Sequence, residues 1–266
     1  MSAVLLPDTG LGQPQQPTVR RRSRAGGRAR RWDTGPAATA RDLAVLRFVG
    51  EQYAARVDVA AVLLARLAPE PVGQLSRRTV RQRLSRWEQA GWTSRRRMLG
   101  HTWVLPTRAG MRLAGLDFDP WTPALDRLAH HHAAAVVRLH REPVPSQGGW
   151  VCERELWRRR GKASWHLTDG ALPAPVPAGW QGIDQAWELV EVELTQKARP
   201  RVVAALKTRP PHTARITYYV PAALHAPLSA QLAGVVRELG GRPQVTVEPL
   251  PQVAGITYMP TSGDAR

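Results

Sequence analysis

Apolar residues recur at intervals of three and four along three segments that follow residue 37, and this spacing predicts three amphipathic helices. Their apolar positions are Leu43, Leu46, Val49 and Tyr53 in the first helix, Val59, Val62, Leu63 and Leu67 in the second, and Val80, Leu84 and Trp87 in the third. Asp58 and Ser76 are the predicted N-caps of the second and third helices, because such side chains accept hydrogen bonds from free backbone N–H groups. Gly91 predicts the end of the third helix.

Two short runs, 92–97 and 101–105, flank the pair Leu99-Gly100 as the strands of a hairpin would, and predict a β-hairpin. Pro106 and Thr107 then predict the start of another helix. Three helices, a basic hairpin and a further helix follow the order of a winged helix-turn-helix, whose third helix enters the major groove while the hairpin touches the flanking backbone. We therefore predict a winged-helix DNA-binding domain over residues 37–120. An alternative is a winged helix used for protein contact. The predicted DNA contacts are Arg77, Arg78, Arg81, Arg86, Arg95, Arg96 and Arg97.

Residues 121–148 are predicted to form a connecting helix, which Trp121, Thr122 and Pro123 would begin. Its expected packed side consists of Leu125, Leu128, Ala129, His132, Val136 and Leu139. Consecutive helical residues point about 100° apart, so His130, His131 and His132 cannot converge on one metal ion. We expect His132 to be packed, and the two other histidines and His140 to lie on a solvated face.

From residue 149 the pattern changes to strands that alternate with helices, which predicts an α/β domain over residues 149–260. The predicted strands are 150–152, 166–172, 187–195, 214–220 and 244–249, and the predicted helices are 153–160, 200–207 and 227–239. The fold class expected for the whole chain is therefore α+β, with an N-terminal winged helix-turn-helix followed by an α/β domain.

The composition adds an expectation about partners. The formal net charge of +17 favours a polyanion such as nucleic acid, and 43% hydrophobic residues argue against a wholly disordered chain. All basic residues of 1–36 lie in the run 20–31, without an apolar period, which predicts a disordered basic arm. A single cysteine, the lack of a signal-like start and the lack of a long apolar run predict a cytoplasmic protein without a membrane span.

The most informative charge feature is a segment, 163–196, that contains none of the 38 basic residues. This acid-rich window contains Asp169, Asp184, Glu188, Glu191 and Glu193. In a chain of net charge +17, these five acids are gathered where we expect nothing to neutralise them.

Alternation along the predicted strand 187–195 places Glu191 and Glu193 on one face. Two neighbouring carboxylates repel each other unless a cation lies between them, and hard oxygen ligands suit Mg²⁺ or Mn²⁺. Asp169, on the preceding strand, is a third candidate ligand. Lys197 is the first cation after the strand and is a candidate for orienting a water molecule.

The segments HLTDGAL (166–172) and ELVEVELTQK (188–197), followed by a helix and a strand, resemble the PD-(D/E)xK nuclease core. Together with the preceding winged helix, nearly all of residues 38–250 resembles the replication-relaxation family of actinobacterial plasmids and integrative elements. The resemblance implies a restriction-endonuclease-like second domain and a role in plasmid replication, relaxation or transfer. It also implies double-stranded DNA and plasmid replication or transfer proteins as partners, and a homodimer is left open.

By this resemblance, Asp169 is the aspartate of the nuclease pattern and Glu191 the acidic residue of its third strand. Glu193 stands where the pattern has lysine. If Glu193 is instead the metal ligand, Thr195 takes the lysine position of the pattern. Lys197, two positions further along, must then reach back to the site to take the role of that lysine. Thr168 replaces the proline before the aspartate, and Glu153 and Glu155 are candidates for the glutamate that many such nucleases carry on their first helix.

Two functions follow as expectations. The first is metal-dependent nicking of duplex DNA, in which Lys197 or Glu193 positions the water. The second is a non-catalytic winged-helix regulator, whose degenerate nuclease-like domain serves dimerisation or partner contact. Other chemistries lack their motifs, since no GxGxxG or GxxxxGK[ST] loop occurs and Cys152 lies in an apolar run typical of a core. A tyrosine-type relaxase would need a strand-borne histidine cluster near a tyrosine, and Tyr218 and Tyr219 have no such partner.

Overall fold

Three helices begin the fold, at the positions that the apolar spacing predicts. They are α1 (Ala40–Glu51), α2 (Val57–Arg66) and α3 (Arg77–Gln89). The predicted cap of α3 is confirmed, because the Ser76 hydroxyl accepts a hydrogen bond from the Thr79 N–H. The predicted cap of α2 is wrong. Asp58 lies inside the first turn, where its carboxylate pairs with the N-cap residue Arg56 at 2.5 Å.

These observations come from a computed structural model, which describes residues 37–70, 73–121, 124–142, 144–145, 149–161, 163–175, 186–210, 212–241, 243–256 and 258. The described chain is a mixed α and β fold with two sheets. The basic arm predicted over 1–36 and the acid Asp184 lie outside the described residues. None of the helices described is both long enough and apolar enough to cross a membrane.

The first sheet contains the predicted hairpin. It has the order β1 (Ala55–Arg56), β3 (His101–Pro106), β2 (Thr93–Met98), and both pairings are antiparallel. Leu99 and Gly100 connect β2 to β3 with φ angles of 47° and 77°. Two successive positive φ angles are typical of the type I′ turn, whose twist matches that of the strands. Helix α4 (Arg108–Leu113) follows behind a Thr107 cap, as predicted.

The connecting helix begins later than its apolar pattern predicted. A 3₁₀ turn over Leu125–Arg127 leads into α5 (Leu128–Arg141). Thr122 and Pro123, the predicted start, lie outside the described residues. Leu125, predicted to be packed, is 57% exposed because it lies in the 3₁₀ turn before the buried part of the helix.

The second sheet has five strands in chain order. The elements are β4 (Val151–Cys152), α6 (Glu153–Arg160), β5 (Gly170–Pro173), β6 (Trp187–Val192), α7 (Arg199–Lys207), β7 (Thr213–Val220), α8 (Ala222–Glu238) and β8 (Gln244–Pro249). Strand β5 pairs antiparallel with both β4 and β6. Strands β6, β7 and β8 run parallel to one another and are joined through α7 and α8.

Three element boundaries in this part differ from the prediction. Strand β5 begins at Gly170 instead of 166, and β6 ends at Val192 instead of 195. Helix α8 begins at Ala222, before Pro227, the predicted start. Because proline has no backbone N–H, α8 lacks the helical hydrogen bond that residue 227 would otherwise donate. The burial of Leu224 and Leu228, on either side of Pro227, in one core offsets this loss.

Helix α5 lies between two hydrophobic cores. One side, with Val136 and Leu139, packs against α1, α2, α3 and the later residue Val253. The other side, with Ala134 and Val137, packs against one face of the second sheet. Helix α5 therefore joins the two cores, and the described residues from 37 onward belong to one compact unit.

A buried arginine on α5 joins the two halves of this body. Arg138, whose side chain is 1% exposed, donates to Glu51 of α1 at 2.6 Å and to Glu142 at 3.0 Å. Its guanidinium lies 4.6 Å from the ring centre of Phe48 and 5.9 Å from that of Trp150. Because burial strengthens each of these contacts and makes an unpaired charge costly, Arg138 fixes the position of α1 relative to the second sheet.

We expect Arg138→Leu to lower the free energy of unfolding by about 3–5 kcal/mol, because the substitution leaves buried carboxylates without their guanidinium. Arg47 also binds Glu51, at 2.9 Å, but is 50% exposed. Arg47→Leu should therefore cost less than about 1 kcal/mol, which makes it a matched control in urea unfolding. Equal losses in the two variants would contradict the structural role assigned to Arg138.

Candidate functional site

The candidate site lies where the start of β5 meets the end of β6. The two strands are antiparallel, with Gly170 opposite Val190, so Asp169 reaches the last residues of β6. The Val192 N–H donates to Asp169 Oδ2 at 2.7 Å. Glu191 lies near the end of β6, and Glu193 directly follows that strand. We call Asp169, Glu191 and Glu193 the acidic cluster.

Gly170 allows the indole ring of Trp150 to pack against the backbone at the start of β5. A Cβ atom at position 170 would lie 2.1 Å from the indole ring of Trp150, which packs directly over the backbone. Any larger residue would therefore displace β5 or the indole, and with it the neighbouring Asp169. The position of the aspartate thus depends on the glycine that follows it.

Each member of the acidic cluster has its own basic partner. His130 Nε2 lies 2.7 Å from Asp169 Oδ1, and His166 Nε2 lies 2.9 Å from Glu191 Oε1. Lys197 forms an ion pair with Glu193. These partners come from α5, from the segment before β5 and from the loop after β6. None of them is a Lys or Arg inside the window 163–196, which explains why the charge of the window appears unneutralised in the sequence.

The fourth described acid of the window is also neutralised, on the opposite face of β6. Glu188 binds Arg141 through two bonds of 2.7 and 2.9 Å, Arg215 at 2.8 Å and the Thr217 hydroxyl at 2.7 Å. Burial raises the pKa of Glu188, but these partners outweigh it and lower the pKa to about 2. The expectation that nothing neutralises the acid-rich window is therefore wrong for its four described acids.

Asp169 and His130 form a buried charged pair. The negative charge of Asp169 raises the pKa of His130 to about 9, although burial opposes this. Burial also raises the pKa of Asp169, but His130 and the Val192 N–H outweigh it and hold the pKa below its usual value. Near neutral pH the pair is thus an imidazolium and a carboxylate.

The two glutamates of the cluster hold their protons more tightly than usual. Burial, with help from the charge of Asp169, raises the pKa of Glu191 against the hydrogen bond from His166. Burial also raises the pKa of Glu193 to about 7, against the opposing effect of Lys197. A carboxyl with a pKa near neutrality can both accept and release a proton under ordinary conditions.

Glu153 approaches the cluster from the first turn of α6. Burial and the nearby charge of Asp169 raise the pKa of Glu153, and its carboxylate accepts a hydrogen bond from Tyr53. Glu155 instead points outward and pairs with Arg158 and Arg159 at 2.6 and 2.9 Å. Of the two glutamates left open by the sequence, only Glu153 lies near Asp169.

The histidine run on α5 is more buried than we expected. His132 is packed as predicted, but His131 is also buried, between the rings of Tyr53 and Trp121, where burial lowers its pKa to about 4. The expectation of a solvated His130 is wrong as well, because this residue binds Asp169. His140 is exposed, as expected. Each histidine of the run thus meets its own partners: His130 binds Asp169, His131 packs between Tyr53 and Trp121, and His132 packs against Trp103.

His130 and His166 were therefore the site residues that sequence reasoning missed. His166 stands in the segment HLTDGAL, three positions before Asp169, which was the available signal. His130 had no local signal, because its partner lies 39 positions away.

The acidic cluster offers hard oxygen donors of the kind that Mg²⁺ and Mn²⁺ prefer. Among the described residues, no three His, Cys, Asp or Glu side chains converge in a metal-binding arrangement. One oxygen of each carboxylate instead meets His130, His166 or Lys197. The donor types thus fit such an ion, whereas its binding would require these three cations to give way.

The predicted DNA-contacting arginines divide into two groups. Five of them are exposed and, within the part of the chain that the structure describes, form no ion pair: Arg77, Arg78, Arg81, Arg96 and Arg97. On α3, the first three fall within an arc of about 100°, adjacent to the buried seam. On β2, Arg97 shares the face that looks toward α3, and Arg96 lies on the other face.

The other two arginines bind the protein itself. Arg95 donates to Glu88 of α3 through its backbone and side chain, both at 2.7 Å, which fixes the hairpin against the helix. Arg86 donates to the carbonyl of Ala37 at 3.0 Å. A groove of about 750 Å³ lies between α3 and the hairpin, with Arg77 and Arg81 along its lining.

Comparisons with protein-family models, curated proteins and solved structures found no match to this chain.

The His130–Asp169 pair makes a testable contribution to stability. Because folding raises the pKa of His130 from 6.5 to about 9, its contribution is full below pH 6.5 and is lost as pH rises through 9. The difference in unfolding free energy between the wild type and His130→Gln should therefore shrink over this range. In Asp169→Asn, the imidazole resonance of His130 should titrate well below pH 9.

His131 provides an internal control in the same NMR titration, since burial holds its pKa near 4 in the wild type. Its resonance should show no transition between pH 6.5 and 9 in either protein. A midpoint that stays near 9 in Asp169→Asn would show that Asp169 is not the cause of the raised pKa.

Proposed function

We propose that this protein binds double-stranded DNA through α3 and the β2–β3 hairpin, and that its acidic cluster binds Mg²⁺ or Mn²⁺ and nicks the duplex. In this proposal the protein acts in plasmid replication, relaxation or transfer, as the resemblance to the replication-relaxation family implies. The observation that carries the proposal is the proximity of three largely buried carboxylates, Asp169 before β5 and Glu191 and Glu193 near the end of β6, in a chain of net charge +17.

The arrangement of α1 to α4 and the first sheet supports a winged-helix interpretation. Helix α3 is followed directly by the hairpin, and Glu88 and Arg95 join the two rigidly. Three exposed arginines on α3 and Arg97 on the hairpin can then approach phosphates from one side of this unit. Their freedom from ion pairs within the described residues leaves their charges available to a polyanion.

The second sheet supports a nuclease-like interpretation. Asp169, just before β5, lies beside Glu191 and Glu193 near the end of β6. Glu153, from the first turn of α6, lies close to Asp169. Buried groups with strongly perturbed pKa values are typical of functional sites. Here burial and neighbouring carboxylates raise the pKa of both Glu191 and Glu193.

Asp169 and Glu191 would hold the ion, with Glu193 as the alternative ligand. When bound, a divalent ion polarises the scissile phosphate and stabilises the charge that develops on it. Glu193, with a pKa of about 7, can accept a proton from the attacking water near neutral pH. Lys197, held beside Glu193, can orient that water or stabilise an oxyanion.

The self-neutralised state of the cluster favours a second candidate, the non-catalytic regulator. Each carboxylate already has a basic partner, and Glu193 occupies the position where the nuclease pattern has lysine. In this alternative, the second sheet serves dimerisation or partner contact, and the winged helix alone binds an operator or origin.

For DNA binding, we expect Arg78→Gln combined with Arg81→Gln to weaken duplex affinity and to reduce its salt dependence. Each lost phosphate contact lowers the slope of log K against log salt by about 0.9, so two contacts lower it by about 1.8. Fluorescence anisotropy with a short duplex over a salt series measures both effects.

A charge-matched control is Arg112→Gln combined with Arg237→Gln. Both arginines are exposed, on α4 and α8, and lie in no ion pair among the described residues. This control should keep the wild-type slope. The same change of slope in both double variants would indicate a general effect of net charge and would contradict a specific role for α3.

For catalysis, we expect the wild type to convert supercoiled DNA to the nicked form with Mg²⁺ or Mn²⁺. Asp169→Asn and Glu191→Gln should reduce nicking to the metal-free background, because each removes a charged ligand of nearly the same shape. Glu155→Gln, on α6 but outside the cluster, is the control that should retain activity.

Equal residual nicking in the wild type and both cluster variants would exclude the acidic cluster as the catalytic site. Thermal unfolding then separates the two candidate functions. An ion that binds only the folded state raises the unfolding midpoint. At an ion concentration of 100 times Kd it adds about 2.7 kcal/mol to the free energy of unfolding. A midpoint that Mn²⁺ raises in the wild type but not in Glu191→Gln favours the nuclease, and no shift in either favours the regulator.

A further inference from the structure

Helix α6 carries an exposed tryptophan close to the acidic cluster. Trp157 is 56% exposed, although tryptophan normally buries most of its large ring. Its neighbour Leu156 already fills the inward position of the helix, in the core with α7 and α8. The exposure of Trp157 therefore follows from its place on the helix and serves no packing that the described residues show.

The helix places Trp157 on the same side as Glu153. Residues four apart on an α-helix lie about 40° from each other around the axis and about 6 Å apart along it. Glu153 is largely buried against Asp169 and His130, at the beginning of α6. The indole thus lies one turn away from Glu153, which is itself next to Asp169 of the acidic cluster.

The surroundings of this indole are basic. The Arg160 guanidinium lies 5.4 Å from the ring centre of Trp157. Arg158 and Arg159, both more than half exposed, follow directly and share a single counter-charge, Glu155. An exposed aromatic ring among guanidinium groups combines a stacking surface with attraction for phosphate, as in sites that bind single-stranded nucleic acid.

We propose that Trp157, supported by Arg160, stacks against an unpaired DNA base next to the phosphate at the acidic cluster. This inference rests on the proposed DNA function and specifies its substrate class. A base within an intact duplex is stacked on its neighbours, so only an unpaired or extruded base can reach the indole. The preferred substrate is therefore a duplex with an unpaired nucleotide at the cleavage position.

The test compares three DNA molecules of the same length, in EDTA to prevent cleavage. One is a continuous duplex, one has a central bulge of unpaired thymidines, and one has the same bulge built from abasic nucleotides. Wild-type protein should bind the thymidine bulge about tenfold more tightly than the abasic bulge, within the range that one stacked base contributes. Trp157→Ala should bind both bulges equally, and Trp157→Phe should restore part of the preference.

Leu113→Ala removes another exposed apolar side chain, from α4, and should keep the wild-type preference. All three variants should bind the continuous duplex like the wild type, which shows that folding and the α3 surface are intact. A preference that survives in Trp157→Ala, or no preference in the wild type despite duplex binding, would overturn this inference alone. No binding of any DNA by the wild type would overturn the proposed function together with it.

Discussion

Buried carboxylates constrain this fold more than any other group, because each must meet a cation inside the protein or lose its charge. Helix α5 supplies three of these cations from a single element. His130 binds Asp169 just before β5, Arg138 binds Glu51 and Glu142, and Arg141 binds Glu188 near the start of β6. The same helix also contributes apolar residues to the cores on its two sides. Its position is therefore fixed by both charge and packing.

One consequence is a direct physical connection between the helical half of the chain and the acidic cluster. Tyr53, just after α1, adopts a φ of 67°, which is unusual for a bulky residue. Its ring lies against His131 of α5 and beneath the guanidinium of Arg154, and its hydroxyl meets Glu153. The strained backbone of Tyr53 is thus held by contacts to α5 and α6, the two helices that also supply His130 and Glu153 to the cluster.

Local patterns were sufficient to predict the elements of this fold, because helices and hairpins depend on neighbours within a few residues. The seam of Val80, Leu84 and Trp87 and the turn at Leu99-Gly100 are such cases. The carboxylates of the candidate site could also be predicted from composition and alternation. Their cations could not, since ion pairs over 39 and 47 positions leave no periodic signal. The strand ends near the site were harder to predict, because contacts outside the regular strands hold the residues there. The Asp169 carboxylate accepts from the Val192 N–H, whereas Glu193 donates its backbone N–H to the carbonyl of Tyr219 and pairs with Lys197.

The acidic cluster differs energetically from the other buried charges. Arg138 and its carboxylates join two halves of the body, so their cost of burial accompanies a structural gain. The cluster lies at the edge of the sheet, where an apolar group of similar size would avoid both desolvation and the mutual repulsion of Asp169, Glu191 and Glu193. Burial raises the pKa of both glutamates, and the charge of Asp169 adds to this effect. The cluster therefore concentrates charge at a strand end without stabilising the fold in the way that Arg138 does. A site that binds a cation or moves a proton needs such a concentration of charge, which favours the catalytic proposal over the regulator.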